Sequence, residues 1–393
     1  MKTVYVGMSG GVDSSVSAML LVEQGYHVVG VYMKNWSEDL PGMKCPWAED
    51  LADAKRVAVK LGIDFKVWDF EKEYREKVVE YMLAEFRAGN TPNPDIMCNQ
   101  EIKFKLFYEK AMAAGADFIA TGHYAGIGFE SNLQEASMSH SGPRPSGPSP
   151  RAAGANSRAA ALRNAPSRNI DASCKSPHHP PMLLRAVDEN KDQTYFLYRI
   201  SQEALEHTLF PIGEMKKPEV KKLAKEHGLH NAYKKESMGV CFVGEVGMKD
   251  FLKEYIEVEP GEIREMESDR VLGYHEGAVF YTLGQRHGLY LASDLPYYVV
   301  KKDVKNNIIY VSKDLNNREL WTKELKLKDV FMRQFECVPS GTFSVRLRHR
   351  APLIPARFDG KTLSFEQEIK RPASGQSAVI YDGEICLGGG IIA

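Results

Sequence analysis

Thr3-Val4-Tyr5-Val6-Gly7-Met8-Ser9-Gly10-Gly11-Val12-Asp13-Ser14-Ser15 joins a strand pattern to a helix pattern through a glycine-rich turn. Residues 3–6 alternate like a strand, and Val16, Ala18, Met19, Leu20 and Leu21 continue in a helical pattern. A strand that turns through glycine into a helix aims backbone N–H groups and the positive end of the helix dipole at one point, which suits a phosphate. Gly10 and Gly11 let the backbone approach such an anion, and Ser14 and Ser15 add hydroxyl donors. The loop lacks the Gly-Lys-Ser/Thr ending of a Walker A loop and the G-x-G-x-x-G spacing of a dinucleotide fingerprint. A nucleotide site of another kind is therefore expected at Gly7, Met8, Ser9, Gly10, Gly11, Val12, Asp13 and Ser14.

Outward from this loop, strands and helices alternate. His27-Val28-Val29-Gly30-Val31-Tyr32-Met33 reads as a second strand, residues 48–61 as a helix stopped by Gly62, and Phe65-Lys66-Val67-Trp68-Asp69 as a third strand. Residues 71–88 form an amphipathic helix with Val78, Val79, Met82 and Phe86 on one face. Residues 102–114 form another, and Phe118-Ile119-Ala120-Thr121-Gly122 is a strand ending at a turn. This rhythm predicts an α/β fold, a doubly wound parallel sheet whose ligands sit at the carboxyl ends of its strands.

Residues 130–181 interrupt it. They are rich in Pro, Ser, Gly, Ala and Arg and nearly free of aromatics, so they cannot bury enough apolar area to offset their ordering entropy. A disordered surface insertion is expected. From about residue 261 short β runs follow: Val279-Phe280-Tyr281-Thr282, Tyr297-Tyr298-Val299-Val300, Ile308-Ile309-Tyr310-Val311 and Phe343-Ser344-Val345-Arg346-Leu347. Asn306-Asn307 and Asp359-Gly360 are hairpin-turn signals. The expected organisation is a nucleotide-binding catalytic domain over 1–237, a small central domain over 238–312 and a C-terminal β-barrel over 313–393.

A length of 393 residues calls for two or three domains. A net charge of −1 neither demands nor excludes nucleic acid, because an RNA-binding surface is a local patch. No apolar run approaches the ~20 residues of a membrane span, and Met1-Lys2-Thr3 passes straight into the first strand, so no membrane contact and a cytoplasmic location are expected. Cys45, Cys98, Cys174, Cys241, Cys337 and Cys386 contain no C-x-x-C pair, which argues against a zinc ribbon or an extracellular disulfide framework; no permanent metal site is expected.

A second constellation is Asn90-Thr91-Pro92-Asn93-Pro94-Asp95-Ile96-Met97-Cys98-Asn99-Gln100-Glu101-Ile102-Lys103-Phe104. Its prolines stiffen the chain, and Asp95 is expected to cap a helix beginning just before or around Cys98. A cysteine near a helix N-terminus gains thiolate character; a buried structural thiol is the alternative. Cys241, in Glu236-Ser237-Met238-Gly239-Val240-Cys241-Phe242-Val243-Gly244-Glu245, reads by itself as a packed thiol.

Ser9-Gly-Gly-Val-Asp-Ser resembles the pyrophosphate-binding loop of the PP-loop ATP pyrophosphatases, which cleave ATP between the α and β phosphates and usually adenylate a carbonyl oxygen. Further motifs are Asn93-Pro-Asp…Cys98-Asn…Ile102-Lys-Phe, Ala120-Thr-Gly-His-Tyr, Lys191-Asp-Gln…Tyr195-Phe-Leu and Gly239-Val-Cys-Phe-Val-Gly. Tyr281-Thr-Leu-Gly-Gln-Arg-His-Gly-Leu and Ser374-Gly-Gln…Tyr381-Asp-Gly…Gly388-Gly-Gly complete a set that resembles the tRNA-specific 2-thiouridylases from about Lys2 to Ile392, the insert excepted.

The resemblance implies ATP with Mg²⁺ as substrate and replacement of the C2 oxygen of the wobble uridine by sulfur. It implies that residues 7–14 hold the phosphates, that Asp13 helps bind Mg²⁺, and that Met33 and Gly122 line the adenosine site. It makes Cys241 the carrier of a persulfide delivered by a sulfur-donor protein (a cysteine desulfurase or a sulfur-relay protein). Cys98 becomes the nucleophile, and a transient Cys98–Cys241 disulfide is implied. Two orders of events stay open: Cys98 releases sulfide from the persulfide, or the persulfide attacks C2 and Cys98 resolves it.

By the same resemblance Asn93, Pro94 and Asp95 contact the target base, and His123 sits beside the nucleotide. Lys191, Asp192, Gln193, Arg348, His349 and Gln376 contact the tRNA, the last near the anticodon stem-loop. Arg346, Arg348 and Arg350 alternate and are expected to share one strand face, which would suit phosphate contacts. Three rivals differ in what they need. A small-molecule PP-loop ligase needs no cysteine pair, a non-catalytic tRNA binder needs no intact loop, and a dithiol oxidoreductase leaves the loop unexplained.

Overall fold

In the computed structural model, β1 (Thr3–Gly7), β2 (His27–Lys34), β3 (Asp64–Asp69), β4 (Phe118–Ala120) and a short fifth strand, Thr208–Leu209, form one sheet. Its order is β3, β2, β1, β4, Thr208–Leu209, and every pairing is parallel. Val4 and Val6 are fully buried, as are Val31, Ile119 and Ala120, which accounts for the near-continuous apolar strands. Burying each such valine or isoleucine contributes roughly 1.5–3 kcal/mol. The structure describes residues 1–39, 45–129, 180–235, 247–333 and 341–393. The expected insertion lies outside the described residues except for positions 180 and 181, as do Cys174, Cys241 and Cys337.

The helices fall where the pattern puts them. α1 (Val12–Glu23) is buried along most of its surface, because the loop helix is covered by the rest of its own domain. α2 (Trp47–Leu61) ends at Gly62, which takes the left-handed conformation (φ 65°) that closes a helix. The next helix is continuous but changes pitch, from α at Glu71–Tyr74 through π at Arg75–Val79 back to α at Glu80–Arg87. The helix carrying Cys98 starts earlier than expected. It runs from Pro94–Met97 through a π segment, Cys98–Leu106, into Phe107–Ala113. Its N-cap is Asn93, whose side chain accepts from the Asp95 N–H at 3.1 Å, with Pro94 at the first helical position; Asp95 is inside the helix and not its cap.

Tyr298–Asp303, Ile308–Ser312, Gly261–Glu265 and Val271–His275 form the central four-stranded sheet, in that order. The turn at Asn306-Asn307 joins the first two, with Asn307 at φ 54°. Residues 279–282 are not the expected strand. Ala278–Phe280 is a 3-10 turn, closed by Phe280 N–H on the Gly277 carbonyl at 3.2 Å, so that Ala278 and Tyr281 enter the central core while Val279 joins the core that holds Cys98. Burial there overrides β-propensity.

The C-terminal domain is a six-stranded antiparallel barrel. Trp321–Met332, Thr362–Lys370, Ile354–Phe358, Gly341–Arg346, Ser377–Asp382 and Ile385–Ile392 follow one another, and the last pairs with the first. Asp359-Gly360 makes the expected hairpin, with Gly360 at φ 102°. All three domains belong to one compact unit, Met1–Ile127 with Leu183–Ala393; Gly128–Met182 is a second. No helix among the described residues is long and apolar enough to cross a membrane.

Candidate active site

The sheet order reverses between β1 and β4, and such a switch point is where doubly wound sheets bind ligands. The loop from Gly7 to Ser15 leaves β1 at that point. Gly10 has φ +77°, and a Cβ there would lie 2.3 Å from the Asp50 carbonyl oxygen, so only glycine fits. Gly11 is the helix N-cap in extended conformation, and the first-turn N–H groups of Val12, Asp13 and Ser14 have no carbonyl one turn back to bond. The Ser14 hydroxyl donates to the Gly11 carbonyl at 3.2 Å and accepts from Ser9 N–H at 3.2 Å; the Ser15 hydroxyl also donates to Gly11, at 2.8 Å. The serines thus shape the loop from within. Ser15, fully buried, is part of its support and not of its mouth.

From the far end of the domain come residues that spacing alone did not mark. Lys217 Nζ donates to both Asp13 carboxylate oxygens, at 2.7 and 2.8 Å, and the Tyr124 hydroxyl donates to one of them at 3.0 Å. The Asn231 amide donates to the Gly10 carbonyl and the Ser15 hydroxyl, both at 2.9 Å. Lys234 binds Asp50 and Asp53 on α2 at 2.7 and 2.6 Å, and with His230 it holds the Asp53 carboxyl below its usual range against the opposing effect of burial. Tyr124 is part of the Ala120-Thr-Gly-His-Tyr motif; Lys217 and Asn231 are over 200 residues from the loop, where no local signal reaches.

Gly122 and Met33 flank the loop. A Cβ on Gly122 would come within 2.6 Å of the Ser14 nitrogen, and one on Gly7 within 2.9 Å of the Met33 methyl. His123 is buried, shares a 2.8 Å hydrogen bond with Thr121, and lies between Phe104 (ring centres 5.8 Å) and Phe210 (6.4 Å). Burial, with Lys103 adding to it, depresses its pKa well below the normal histidine value, so the ring is neutral.

Phe104 is on the helix of Cys98, which links the two constellations. Cys98 is a buried thiol, 3% exposed, at the head of the π segment. Such pitch changes recur at functional sites. The neighbouring Asn99 side chain donates to the Phe196 carbonyl at 3.2 Å. Asp95, one turn ahead of Cys98, has its carboxyl pushed up by burial, with Lys103 opposing.

Several expected RNA-contact residues face inward instead. Asp192, 1% exposed, accepts from Arg346 at 2.6 Å and from the Thr194 hydroxyl and backbone N–H. Gln193 accepts from Tyr124 N–H at 2.8 Å, while Lys191 is partly exposed. The three-arginine face does not form. The strand ends at Arg346, which is buried in the Asp192 ion pair, and the chain turns through Arg348 to Arg350, the latter at φ 62°. Arg348 and Arg350 are exposed. The His349 ring packs at a tilt against Phe196, ring centres 4.5 Å apart, its pKa lowered to about 4 by burial and then by Arg350 and Arg346. Gln376 donates its amide to the Thr91 carbonyl at 2.7 Å.

Comparison with known proteins bears directly on this arrangement. Residues 2–142 and 172–245 match the family described as tRNA methyl transferase HUP domain. Residues 249–313 match its PRC-barrel domain, and residues 322–392 match the aminomethyltransferase beta-barrel domain. The tRNA-specific 2-thiouridylase MnmA of Lysinibacillus sphaericus is 41% identical over 99% of this chain and 93% of its own length. The chain belongs to the MnmA family of tRNA-specific 2-thiouridylases. The MnmA proteins of Pseudomonas syringae pv. syringae (41% identical) and Shewanella amazonensis (42%) are matched over all of this chain and 94% of theirs. Of solved structures, the predicted subunit of tRNA methyltransferase from Methanocaldococcus jannaschii covers 31% of this chain and 53% of its own, at 20% identity. Its TM-score of 0.23 is too low to bear on the fold.

Proposed function

We propose that this protein is an ATP-dependent tRNA 2-thiouridylase of the cytoplasm, acting on the wobble uridine in an anticodon stem-loop. The observation that carries the reading is an intact pyrophosphate loop at the sheet's switch point in a chain matched end to end by 2-thiouridylases. A uracil C2 oxygen is a poor leaving group. Attack of that oxygen on the α-phosphate releases diphosphate and leaves the oxygen as part of AMP. Residues 7–14, with the open N–H groups of the first turn of α1, hold the phosphates, and Met33 and Gly122 border the adenosine. A magnesium ion carried by the triphosphate would supply further positive charge, and Asp13, whose oxygens accept from Lys217 and Tyr124 in the structure, would be the carboxylate to hold it. Lys217 balances that carboxylate, which would otherwise repel the nucleotide.

Sulfur arrives on Cys241 as a persulfide from a cysteine desulfurase or a sulfur-relay protein. Either Cys98 attacks this persulfide, freeing sulfide for C2 and closing a Cys98–Cys241 disulfide, or the persulfide attacks C2 and Cys98 then displaces the product sulfur. In both orders AMP leaves C2 and an external thiol reductant resets the disulfide. Asp95, whose carboxyl binds its proton more tightly than usual, stands one turn from Cys98 and is suited to hand a proton to the reacting centre. Asn93 and Pro94 border the target base. Lys191, Arg348, His349 and Gln376 border the RNA, with the base drawn out of its stack.

Cys98→Ser and Cys241→Ser are each expected to abolish 2-thiouridine in tRNA while ATP binding persists. Nucleoside mass spectrometry after incubation with tRNA, ATP, Mg²⁺ and a sulfur donor checks this. Retained 2-thiouridine in either variant would sink the two-thiol chemistry.

A further inference from the structure

The segment leading into the Cys98 helix is gripped by a different domain. The Thr91 N–H donates to the Ser374 carbonyl at 2.7 Å, and the Thr91 carbonyl accepts the Gln376 side-chain amide at 2.7 Å. Both backbone groups of Thr91 are thus taken by one turn of the β-barrel. Between them Gly375, at φ +89°, lies so close that a Cβ would be 2.9 Å from Asn90 Cβ and 3.0 Å from Thr91 N. The turn is itself fixed to the last barrel strand. Gly375 N–H donates to the Ile392 carbonyl at 2.9 Å, and Ile392 N–H to the Gln376 carbonyl at 2.8 Å. The Thr91 hydroxyl also meets the Thr282 hydroxyl of the central domain at 3.4 Å, so three domains converge on this residue.

Thr91 is two residues before the N-cap Asn93 and seven before Cys98. Pro92 and Pro94 stiffen what separates them, so a displacement at Thr91 is carried to the helix start and not absorbed on the way. A second tie from the barrel reaches the same helix. Arg199 donates to the Gln100 side chain and, at 2.9 Å, to the Asp329 carbonyl on the first barrel strand.

From this we infer that Gly375 and Gln376 are positioning residues for the reactive thiol: the barrel turn sets where the helix of Cys98 begins and so keeps Cys98 buried and aligned. The inference rests on the reading of Cys98 as the reacting cysteine. It extends that reading, because it makes the barrel part of the thiol site's geometry.

The test is the alkylation rate of Cys98 by iodoacetamide in the full-length protein, read at the Cys98 peptide by mass spectrometry. ATP affinity is measured alongside by calorimetry. Gln376→Glu removes the donor at nearly constant size, and Gly375→Ala drives a methyl group into Asn90 and Thr91. Lys361→Ala, in an exposed hairpin elsewhere on the barrel, is the control. Both turn variants are expected to raise Cys98 alkylation several-fold with ATP affinity unchanged, and Lys361→Ala to leave both as they were.

Parent-like alkylation in a folded variant overturns the inference. So does a lowered melting temperature without a change at Cys98, which assigns the turn a merely structural role. If Gly375→Ala does not fold, Gln376→Glu decides alone. Faster alkylation beside retained 2-thiouridine in Cys98→Ser would leave the positioning standing and remove the functional reading.

Discussion

The nucleotide loop and the cysteine helix are built on opposite plans. The loop from Gly7 to Ser15 closes on itself: Ser9, Gly11, Ser14 and Ser15 bond one another, and Lys217, Tyr124 and Asn231 brace it from within the same domain. The cysteine helix also has local bonds, Asp95 to Asn93 and Gln100 and Lys105 to Glu101, but it is tied as well to distant parts of the chain. Its start is held by the barrel at Thr91, and its middle by Arg199 and Phe196. A loop that must fit one anion can be written into nine consecutive residues. In the proposed reaction the Cys98 thiol would meet a base brought by a large substrate, and its helix is accordingly tied to more than one domain.

Gly10→Ala is expected to have the largest effect. With φ +77° and the Asp50 carbonyl 2.3 Å from the new carbon, the loop must move. We expect ATP binding to be lost and stability to fall by about 1–3 kcal/mol, the usual strain of a forced backbone; calorimetry and thermal melting report both. Cys98 alkylation should barely change, if the two sites are held independently.

Lys217→Met ranks next. It leaves a partly exposed Asp13 carboxylate without its cation, so we expect roughly 1–2 kcal/mol of destabilisation and weaker ATP binding, measured by melting and by nucleotide titration. An Asp13→Asn, Lys217→Met double variant should recover most of the stability but not the ATP affinity.

A smaller effect concerns pH on the barrel side. His349, with its pKa lowered to about 4, takes up no proton where an unfolded histidine would, so stability is present in full above about pH 6.5 and is lost as pH falls toward about 4. His123 contributes a slope of the same sign. Melting curves across that range should be flatter for His349→Gln than for the parent, and an unchanged slope would show that the ring is not held neutral. Deleting residues 131–181 is expected to have the least effect, leaving thiolation largely intact. Loss of 2-thiouridine would make that stretch functional.

The parallel sheet was legible because Val4, Val6, Val31 and their neighbours form short, near-continuous apolar runs, and the barrel because turn residues separate its short β runs, features each strand shows on its own. Two departures from those local patterns share one physical origin. Val279 to Thr282 looked like a strand because β-branched and aromatic residues are also what a small core takes in through a turn. Arg346 looked like part of a surface stripe because alternation says which residues share a face, not what covers that face. Asp192 covers it, 154 residues away.

Glycine conformation, periodicity and capping act over a few residues, so the sequence alone carries the glycine-rich loop, the doubly wound domain around it and a cysteine within the first turns of a helix. Only the tertiary structure decided that Asp13 would face Lys217, that Asn93 and not Asp95 would cap the helix, and that the barrel would hold Thr91. Those choices rest on charge pairing, burial and backbone bonds between segments far apart in the chain, and no local pattern carries them.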